Sequence, residues 1–245
     1  MAGEVSIGRV ITRALEAVGA APLALFGTSA VLAALPPALF GWAEPFALLR
    51  PSADRHPFAV MLPLALAVFL GWMALRLLAQ AALFRAMAAR LDGRPEPFAA
   101  SIAGALAPLA ALVALSVVLT LAVVVGAALL IVPGLMLATM WSVATPVLAL
   151  ERTGVFAALG RSQDLTRGHR WRVFGLTLLG YGVYALAALV LHGAMAAAPG
   201  LKVAGTFVLT TAFVAIGAAV QLSLYVELRE ARDGPASDRL SAIFA

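Results

Sequence analysis

The sequence of 245 residues contains no cysteine, few charged residues and almost no acid within its apolar runs. Without cysteine there are no disulfides, no thiolate metal ligands and no cysteine nucleophile. Charged residues make up 12% of the chain and hydrophobic residues 63%, whereas a soluble domain is about a quarter charged and about half apolar. The mean hydropathy of +1.00 agrees with that contrast. The composition therefore indicates a membrane protein that crosses the bilayer several times.

Six apolar runs are candidates for membrane spans, each of which needs about 20 residues of helix. The sequence predicts an all-α fold: a polytopic six-helix bundle that forms a single integral membrane domain over residues 1–245. An apolar turn at Val132–Gly134 joins the third span to the fourth, and residues 227–245 form a cytoplasmic tail. The predicted spans are about 22–42, 58–87, 107–130, 135–150, 173–195 and 203–226.

Three shorter segments, near 4–18, 97–106 and 153–167, place apolar side chains on one face of a helix. Each of them precedes a pair of predicted spans, which suggests a repeated unit of one interfacial helix and one membrane hairpin. Residue identity between the three units is poor. We predict that these segments are short amphipathic helices that lie in the cytoplasmic interface of the membrane.

The seventeen basic residues are distributed unevenly between the predicted loops. With the N-terminus inside, thirteen of them lie in cytoplasmic segments, three lie in outer loops, and Arg76 lies within a span. Cytoplasmic loops of membrane proteins are enriched in Lys and Arg, so the count predicts that both termini are cytoplasmic. Beside apolar spans, this positive charge indicates contact with anionic lipid and not with nucleic acid. The predicted location is a bacterial cytoplasmic (inner) membrane.

Residues 151–172 form the most polar and most cationic stretch, between the fourth and fifth predicted spans. Thr153 is a plausible N-cap, the following residues to Arg167 have helical periodicity, and Gly168 is a typical stop. Asp164 lies three residues from Arg161 and three from Arg167, a spacing that permits ion pairs with both. The sequence thus predicts a short amphipathic helix here.

Two interpretations of this arginine-rich segment remain open. In the functional one, its arginines bind lipid phosphate or a protein partner, because guanidinium matches phosphate bidentately. In the structural one, they set the membrane topology and form ion pairs on the helix surface. The binding residues would be Arg161, Arg167, Arg170 and Arg172, oriented by Glu151 and Asp164, with Trp171 as the anchor at the interface.

Arg76 and Gln80 interrupt the second predicted span. An ionisable residue inside a span is a candidate for function, because its burial costs several kcal/mol. In the structural interpretation, Arg76 snorkels towards the cytoplasmic surface or pairs with a carbonyl group or with Glu227. In the functional interpretation, the pair lines a cavity at bilayer depth through which a lipid or small amphiphile moves.

Catalytic and metal-binding patterns are not found in the sequence. His56, His169 and His192 are far apart and lack paired ligand spacing, so no metal site is predicted. The chain has no nucleophile elbow and no glycine-rich phosphate loop, and no cofactor is predicted. The leading hypothesis is a non-enzymatic protein that contacts membrane lipids or a protein partner. The alternative is a transporter or scramblase, and the oligomeric state stays open.

Two groups of residues carry a family resemblance. The first group is Val132–Leu135, Thr145–Val147 with Glu151, Ala157–Ser162, Leu165–Gly168 and Arg170–Phe174, and the second is Tyr225 with Leu228 and Arg229. Together they resemble the membrane domain of the glycerophosphoryl diester phosphodiesterase family and related uncharacterised bacterial six-span proteins. The resemblance implies a six-helix bundle in the cytoplasmic membrane and a link to phospholipid or glycerophosphodiester metabolism. The chain has no counterpart of the family's catalytic barrel, so the resemblance does not imply hydrolase activity.

Overall fold

The computed structural model describes residues 6–20, 22–34, 58–91, 93, 96–194 and 199–234. Within these ranges the chain is almost entirely helical and contains no strand, which confirms the all-α prediction. A π-helical turn, Ser29–Ala34, continues the second helix. The helices are α1 (Ile7–Ala20), α2 (Pro22–Thr28), α3 (Phe58–Leu91), α4 (Phe98–Leu106), α5 (Leu109–Leu129), α6 (Ile131–Met140), α7 (Ala144–Glu151), α8 (Val155–Thr166), α9 (Arg170–Ala194) and α10 (Pro199–Asp233).

Five stretches of helix are long and apolar enough to cross a membrane, and they coincide with the last five of the six predicted spans. The first predicted span, 22–42, is described only as far as Ala34, and residues 35–42 lie outside the described ranges, so a sixth span stays a prediction. The five stretches are Leu66–Arg90, Leu109–Leu129, Val132–Glu151, Arg170–Ala194 and Val203–Asp233.

The turn between the third and fourth predicted spans is shorter than the sequence suggested. The predicted turn Val132–Gly134 lies inside the first helical turn of α6, and only Leu130, with φ −158° and ψ 137°, separates α5 from α6. Glycine makes this possible, since a Cβ on Gly134 would lie 2.7 Å from the backbone nitrogen of Ala127. The two helices therefore touch backbone to backbone at their connection.

The predicted cytoplasmic tail also begins later than expected. Instead of ending near Val226, α10 continues to Asp233. Its additional residues include Glu227 and Leu228, which are 3% and 0% exposed and thus belong to the packed interior. Burial of these side chains extends the helix beyond the point at which hydropathy falls. Residues 235–245 lie outside the described ranges.

The three segments predicted to be interfacial helices are α1, α4 and α8. Helix α1 packs on α10, α4 packs on α3, and α8 packs on α7, α10 and the α5–α6 hairpin. Arg90 at the end of α3, Glu151 at the end of α7, Arg170 at the start of α9 and Asp233 at the end of α10 lie at one end of the bundle, which we call the charged end. Placement of these helices in the membrane interface stays a prediction.

Candidate functional site

The arginine-rich segment divides into the end of α7, the helix α8, a three-residue turn and the start of α9. Gly168 in that turn has φ +90°, which confirms its predicted role as the stop, because side chains rarely adopt this left-handed region. The predicted cap at Thr153 is wrong. Gly154 is the N-cap and provides no side-chain hydrogen bond.

Helix α8 is held against the bundle by two hydroxyl groups on its buried face. Ser162 Oγ donates a hydrogen bond of 2.9 Å to the Met140 carbonyl oxygen, and Thr166 Oγ1 lies 3.3 Å from the same oxygen. The carbonyl is open because the amide of Ala144 bonds to Trp141 at the break between α6 and α7, not to Met140. The serine and threonine of the sequence resemblance therefore satisfy a carbonyl group that a broken span leaves without its helical partner.

Arg161, one of the four predicted binding arginines, joins two carboxylates. Its guanidinium lies 3.6 Å from Glu151 and pairs with Asp233 at the end of α10. The hydrogen bond to Asp233 is the main cause that raises the pKa of the Arg161 guanidinium above its ordinary value. The hydroxyl of Tyr225, in turn, donates a bond of 2.8 Å to Glu151. Arg161 thus joins α7, α8 and α10. Its two carboxylate partners, Glu151 and Asp233, are both engaged in contacts within the protein.

The local ion pairs predicted around Asp164 are not formed. Asp164 is exposed, and among the described residues it makes no ion pair with Arg161 or Arg167. The acids of α7 and α10 replace it because they lie on the side of α8 that faces the bundle. Of the predicted orienting acids, Glu151 contacts Arg161 and Asp164 does not.

The other three arginines lie around Trp171, where α8 ends and α9 begins. Arg167 is exposed in the turn, and Arg170 and Arg172 are half-buried in the first turn of α9. Trp171 is 85% exposed and meets Phe174 edge to face, with 6.1 Å between the ring centres. This exposed aromatic side chain between cations is the arrangement that the sequence predicted for an interface anchor.

A second ion network, which the sequence did not predict, joins α1 to α10. Glu227 is 3% exposed and lies 2.6 Å from Arg9 and 3.3 Å from Arg13, and Arg13 also lies 2.9 Å from Glu230. The proposed pairing of Glu227 with Arg76 is therefore wrong, because two arginines of α1 occupy the carboxylate. The residues are more than 210 positions apart in the chain, so local spacing carries no sign of the contact.

The break between α6 and α7 exposes a second carbonyl group, that of Ser142. Pro146 lies in the first turn of α7 and has no amide hydrogen to donate to the carbonyl four residues earlier. Gln221 of α10 donates to this Ser142 oxygen at 2.6 Å, and Gln80 of α3 donates to the Gln221 side-chain oxygen at 2.7 Å. This chain of amides connects α3, α10 and the α6–α7 break. The signal in the sequence that could have indicated the open Ser142 carbonyl is Pro146.

A cavity of about 280 Å³ adjoins the amide chain, between α3, α9, α10 and the break. Non-helical backbone at bilayer depth occurs where it is buried in protein or lines a cavity, and this break fits that rule. The hydroxyl of Ser142 is buried and has no hydrogen-bond partner among the described residues. The polar lining consists of Arg76, Gln80, Ser142, Thr177, Tyr181 and Gln221.

Arg76 lines this cavity and does not snorkel towards the charged end. Its guanidinium lies over the ring of Trp72, 5.7 Å from the ring centre, and Trp72 is one turn further from the charged end. Among the described residues Arg76 has no carboxylate partner. It is about 15 Å along the helix from Leu66 and about 21 Å from Arg90, and thus near the middle of its candidate span.

Metal binding finds no support in the described part of the chain, which contains no cluster of three potential ligands among His, Cys, Asp and Glu. The described lining of the cavity contains no carboxylate, and the carboxylate of Glu151 is already bound to Tyr225 and Arg161. Both therefore suit an organic anion or an internal ion pair better than a metal cation.

No curated protein and no solved structure matches the chain. A family model described as domain of unknown function (DUF7847) matches residues 69–228. The match includes the five described candidate spans from Phe69 onwards, the cavity and the contact of Tyr225 with Glu151, and leaves out α1 and Asp233. The resemblance to the phosphodiesterase membrane domain stays a prediction. Because the matched residues make up more than half of the sequence, the chain belongs to the DUF7847 family.

Proposed function

We propose that the protein is a non-enzymatic integral membrane protein that binds anionic phospholipid headgroups at its charged end, which would face the cytoplasm of a bacterial cell. The observation that carries the proposal is the exposed Trp171 between Arg170 and Arg172, at the start of a long apolar helix. Tryptophan favours the headgroup level of a bilayer, and each arginine near an anionic surface contributes about 1 kcal/mol of attraction.

We propose three of the four predicted arginines as the binding set. Arg161 is bound to Glu151 and Asp233, so its charge is balanced within the protein. Arg167, Arg170 and Arg172 surround the anchor at the start of α9. The same surface would also suit an acidic segment of a protein partner, which the experiment must separate from lipid.

The test compares lipid enrichment around variants in mixed nanodiscs. The protein is reconstituted in phosphatidylcholine with a minor fraction of phosphatidylglycerol, and the phosphatidylglycerol retained after extraction is measured by native mass spectrometry. We expect R167Q/R170Q/R172Q to lose the salt-sensitive part of the enrichment and R161Q to keep most of it. Added salt should weaken the wild-type enrichment, because exposed charges are screened beyond about 10 Å at 0.1 M. Equal enrichment in the triple variant and the wild type would remove these residues as the lipid site.

A second candidate function, movement of a lipid or small amphiphile across the bilayer, is favoured by one observation. The transport hypothesis requires a polar cavity at bilayer depth near Arg76 or Gln80, and the 280 Å³ cavity is lined by both. A fluorescent phosphatidylglycerol in sealed vesicles, bleached from outside by dithionite, measures this activity. Transport predicts bleaching beyond the outer leaflet with wild type and less with R76Q. Bleaching equal to that of protein-free vesicles would contradict it.

A further inference from the structure

The polar side of the cavity contains one cation, several hydrogen-bond donors and no described acid. Arg76 brings five N–H groups, and Gln80 and Gln221 each use one amide N–H in the chain that ends on the Ser142 carbonyl, which leaves each of them a second. The Ser142 hydroxyl is buried without a partner. A buried donor that stays unsatisfied costs about 1–3 kcal/mol, so the site is incomplete without an acceptor.

The charge of the cavity leads to the same conclusion. Arg76 is its single ionisable cation, and none of the described residues that line it is Asp or Glu. An arginine near the middle of a span is costly unless a counter-charge accompanies it. Elsewhere in this structure arginines within the bundle meet carboxylates, as Arg161 and Arg13 do. No described residue supplies a carboxylate to Arg76, so we take its counter-charge to come from a bound molecule.

The volume of the cavity and its apolar lining restrict which molecules it can bind. Leu176, Phe213, Val214 and Leu224 form much of the remaining lining. Ligand cavities generally measure about 300–1,000 Å³, so 280 Å³ accommodates one headgroup and the first part of a chain, not a complete phospholipid. The rest of the chain would have to extend along the surface of α9 and α10, both of which carry exposed apolar residues such as Leu178 and Val208.

We propose that the cavity between α3, α9, α10 and the α6–α7 break binds the headgroup of a singly charged anionic amphiphile. The anion, a carboxylate or a phosphodiester, accepts hydrogen bonds from the Arg76 guanidinium, the Ser142 hydroxyl and the second amide hydrogens of Gln80 and Gln221. One negative charge matches the single cation, and a zwitterionic headgroup would bring an ammonium group for which the lining has no acid. The binding does not require transport and does not involve the surface arginines.

The structure supplies variants that act on this site in two independent ways. R76Q removes the charge and keeps an amide. G217L fills the cavity and keeps every donor, because a Cβ on Gly217 meets nothing within 4 Å and the residue lines the cavity. G175L is the matched control: a Cβ on Gly175 also meets nothing within 4 Å, but that residue lies outside the lining.

The experiment measures how much oleate, phosphatidylglycerol and phosphatidylcholine the full-length protein retains as one-to-one adducts in native mass spectrometry at high salt. High salt suppresses the binding at the charged end and leaves binding in the cavity, so the two proposals fail separately. We expect wild type, G175L and R167Q/R170Q/R172Q to retain oleate, phosphatidylglycerol or both in preference to phosphatidylcholine. Retention by R76Q should fall about tenfold to hundredfold, the effect of one charge-assisted hydrogen-bonded contact, and G217L should lose it.

Three outcomes would overturn the proposal. The first is retention by R76Q and G217L equal to that of the wild type. The second is equal retention of phosphatidylcholine and the two anions by the wild type. The third is loss in G175L as large as in G217L. R76K provides a further check, because it keeps the charge without the bidentate fork: retention between the wild type and R76Q supports direct contact with the anion.

Discussion

Arg161 and Arg76 are both arginines on helices of the bundle, but the structure gives them different neighbours. Arg161 at the charged end meets Glu151 and Asp233, and the acid Glu151 also accepts a bond from Tyr225. Arg76 in the cavity meets the face of Trp72 and no carboxylate of the described chain. The first arginine completes a network that joins helices. The second lies in a cavity whose described lining contains no carboxylate.

This difference distinguishes polar residues that stabilise the fold from polar residues that are suited to bind a ligand. A buried ion network whose members satisfy one another stabilises the fold and has little capacity left for a ligand. A cluster of donors without acceptors, in contrast, lowers stability until an anion binds. The ion network of Arg161 therefore should respond to mutation through unfolding, and the cavity should respond through binding.

The largest effect on unfolding is expected for the arginines around Glu227. R9Q/R13Q would leave a carboxylate that is 3% exposed without its two nearest cations, and breaking a buried pair from one side costs about 3–5 kcal/mol. Thermal unfolding in detergent, followed by circular dichroism, should shift well below that of the wild type. R9Q/R13Q/E227Q should recover part of the loss, because the uncompensated charge is removed. A wild-type midpoint for R9Q/R13Q would show that this network does not stabilise the fold.

The next effect concerns the close contact of α5 with α6. In G134A the new Cβ would lie 2.7 Å from the backbone nitrogen of Ala127, and overpacking of this kind costs about 1–3 kcal/mol. The matched control is G180A, where the added Cβ meets nothing within 4 Å and alanine favours the helix by about 1 kcal/mol. Unfolding midpoints in the same detergent should move down for G134A and stay or rise for G180A. Equal shifts would contradict the backbone contact.

The hydroxyl groups that hold α8 on the break should show a smaller, non-additive effect. Ser162 donates to the Met140 carbonyl, and in S162A the Thr166 hydroxyl, which lies 3.0 Å from the Ser162 carbonyl and 3.3 Å from that of Met140, can donate in its place. S162A/T166V leaves the Met140 carbonyl with neither hydroxyl. We expect about 1 kcal/mol for each single variant and a larger loss for the double variant than the sum of the two. A double-mutant cycle on unfolding midpoints measures the difference. Strict additivity would mean that the two hydroxyls do not share this acceptor.

Local patterns in the sequence predicted the helices well and their partners poorly. Hydropathy located the five described candidate spans. The periodicity of α8 predicts that Val155, Ala158, Leu159, Ser162 and Leu165 share one face, and all of these except the half-buried Val155 are buried. Gly168 was correctly assigned to the turn, because a positive φ is a local property. These features depend on residues that are close together in the chain, so they can be predicted from a single sequence.

The partners of the charged residues depend instead on the packing of distant helices. Spacing along α8 predicted that Asp164 would pair with Arg161. Asp233, 72 residues away, forms the ion pair instead, because it lies on the side of α8 that faces the bundle. The contact of Gln80 with Gln221 spans 141 residues and has no local sign. The direction of Arg76 was predictable: side chains on a helix lean towards its N-terminus, and for α3 that direction leads away from the charged end.

The smallest effect on stability is expected for substitution of Arg76, the residue with the largest expected effect on anion binding. Without added anion, R76Q should unfold at the wild-type temperature or slightly above it, because the substitution removes an uncompensated charge and no ion pair. R161Q, in contrast, deprives Glu151 and Asp233 of their shared cation and should lower the midpoint. Addition of oleate or phosphatidylglycerol should raise the wild-type midpoint and that of R161Q, since a ligand of the folded state stabilises it, and should leave R76Q unchanged. If R76Q unfolds as early as R161Q without anion, Arg76 is a structural residue and the contrast between the two sites is lost.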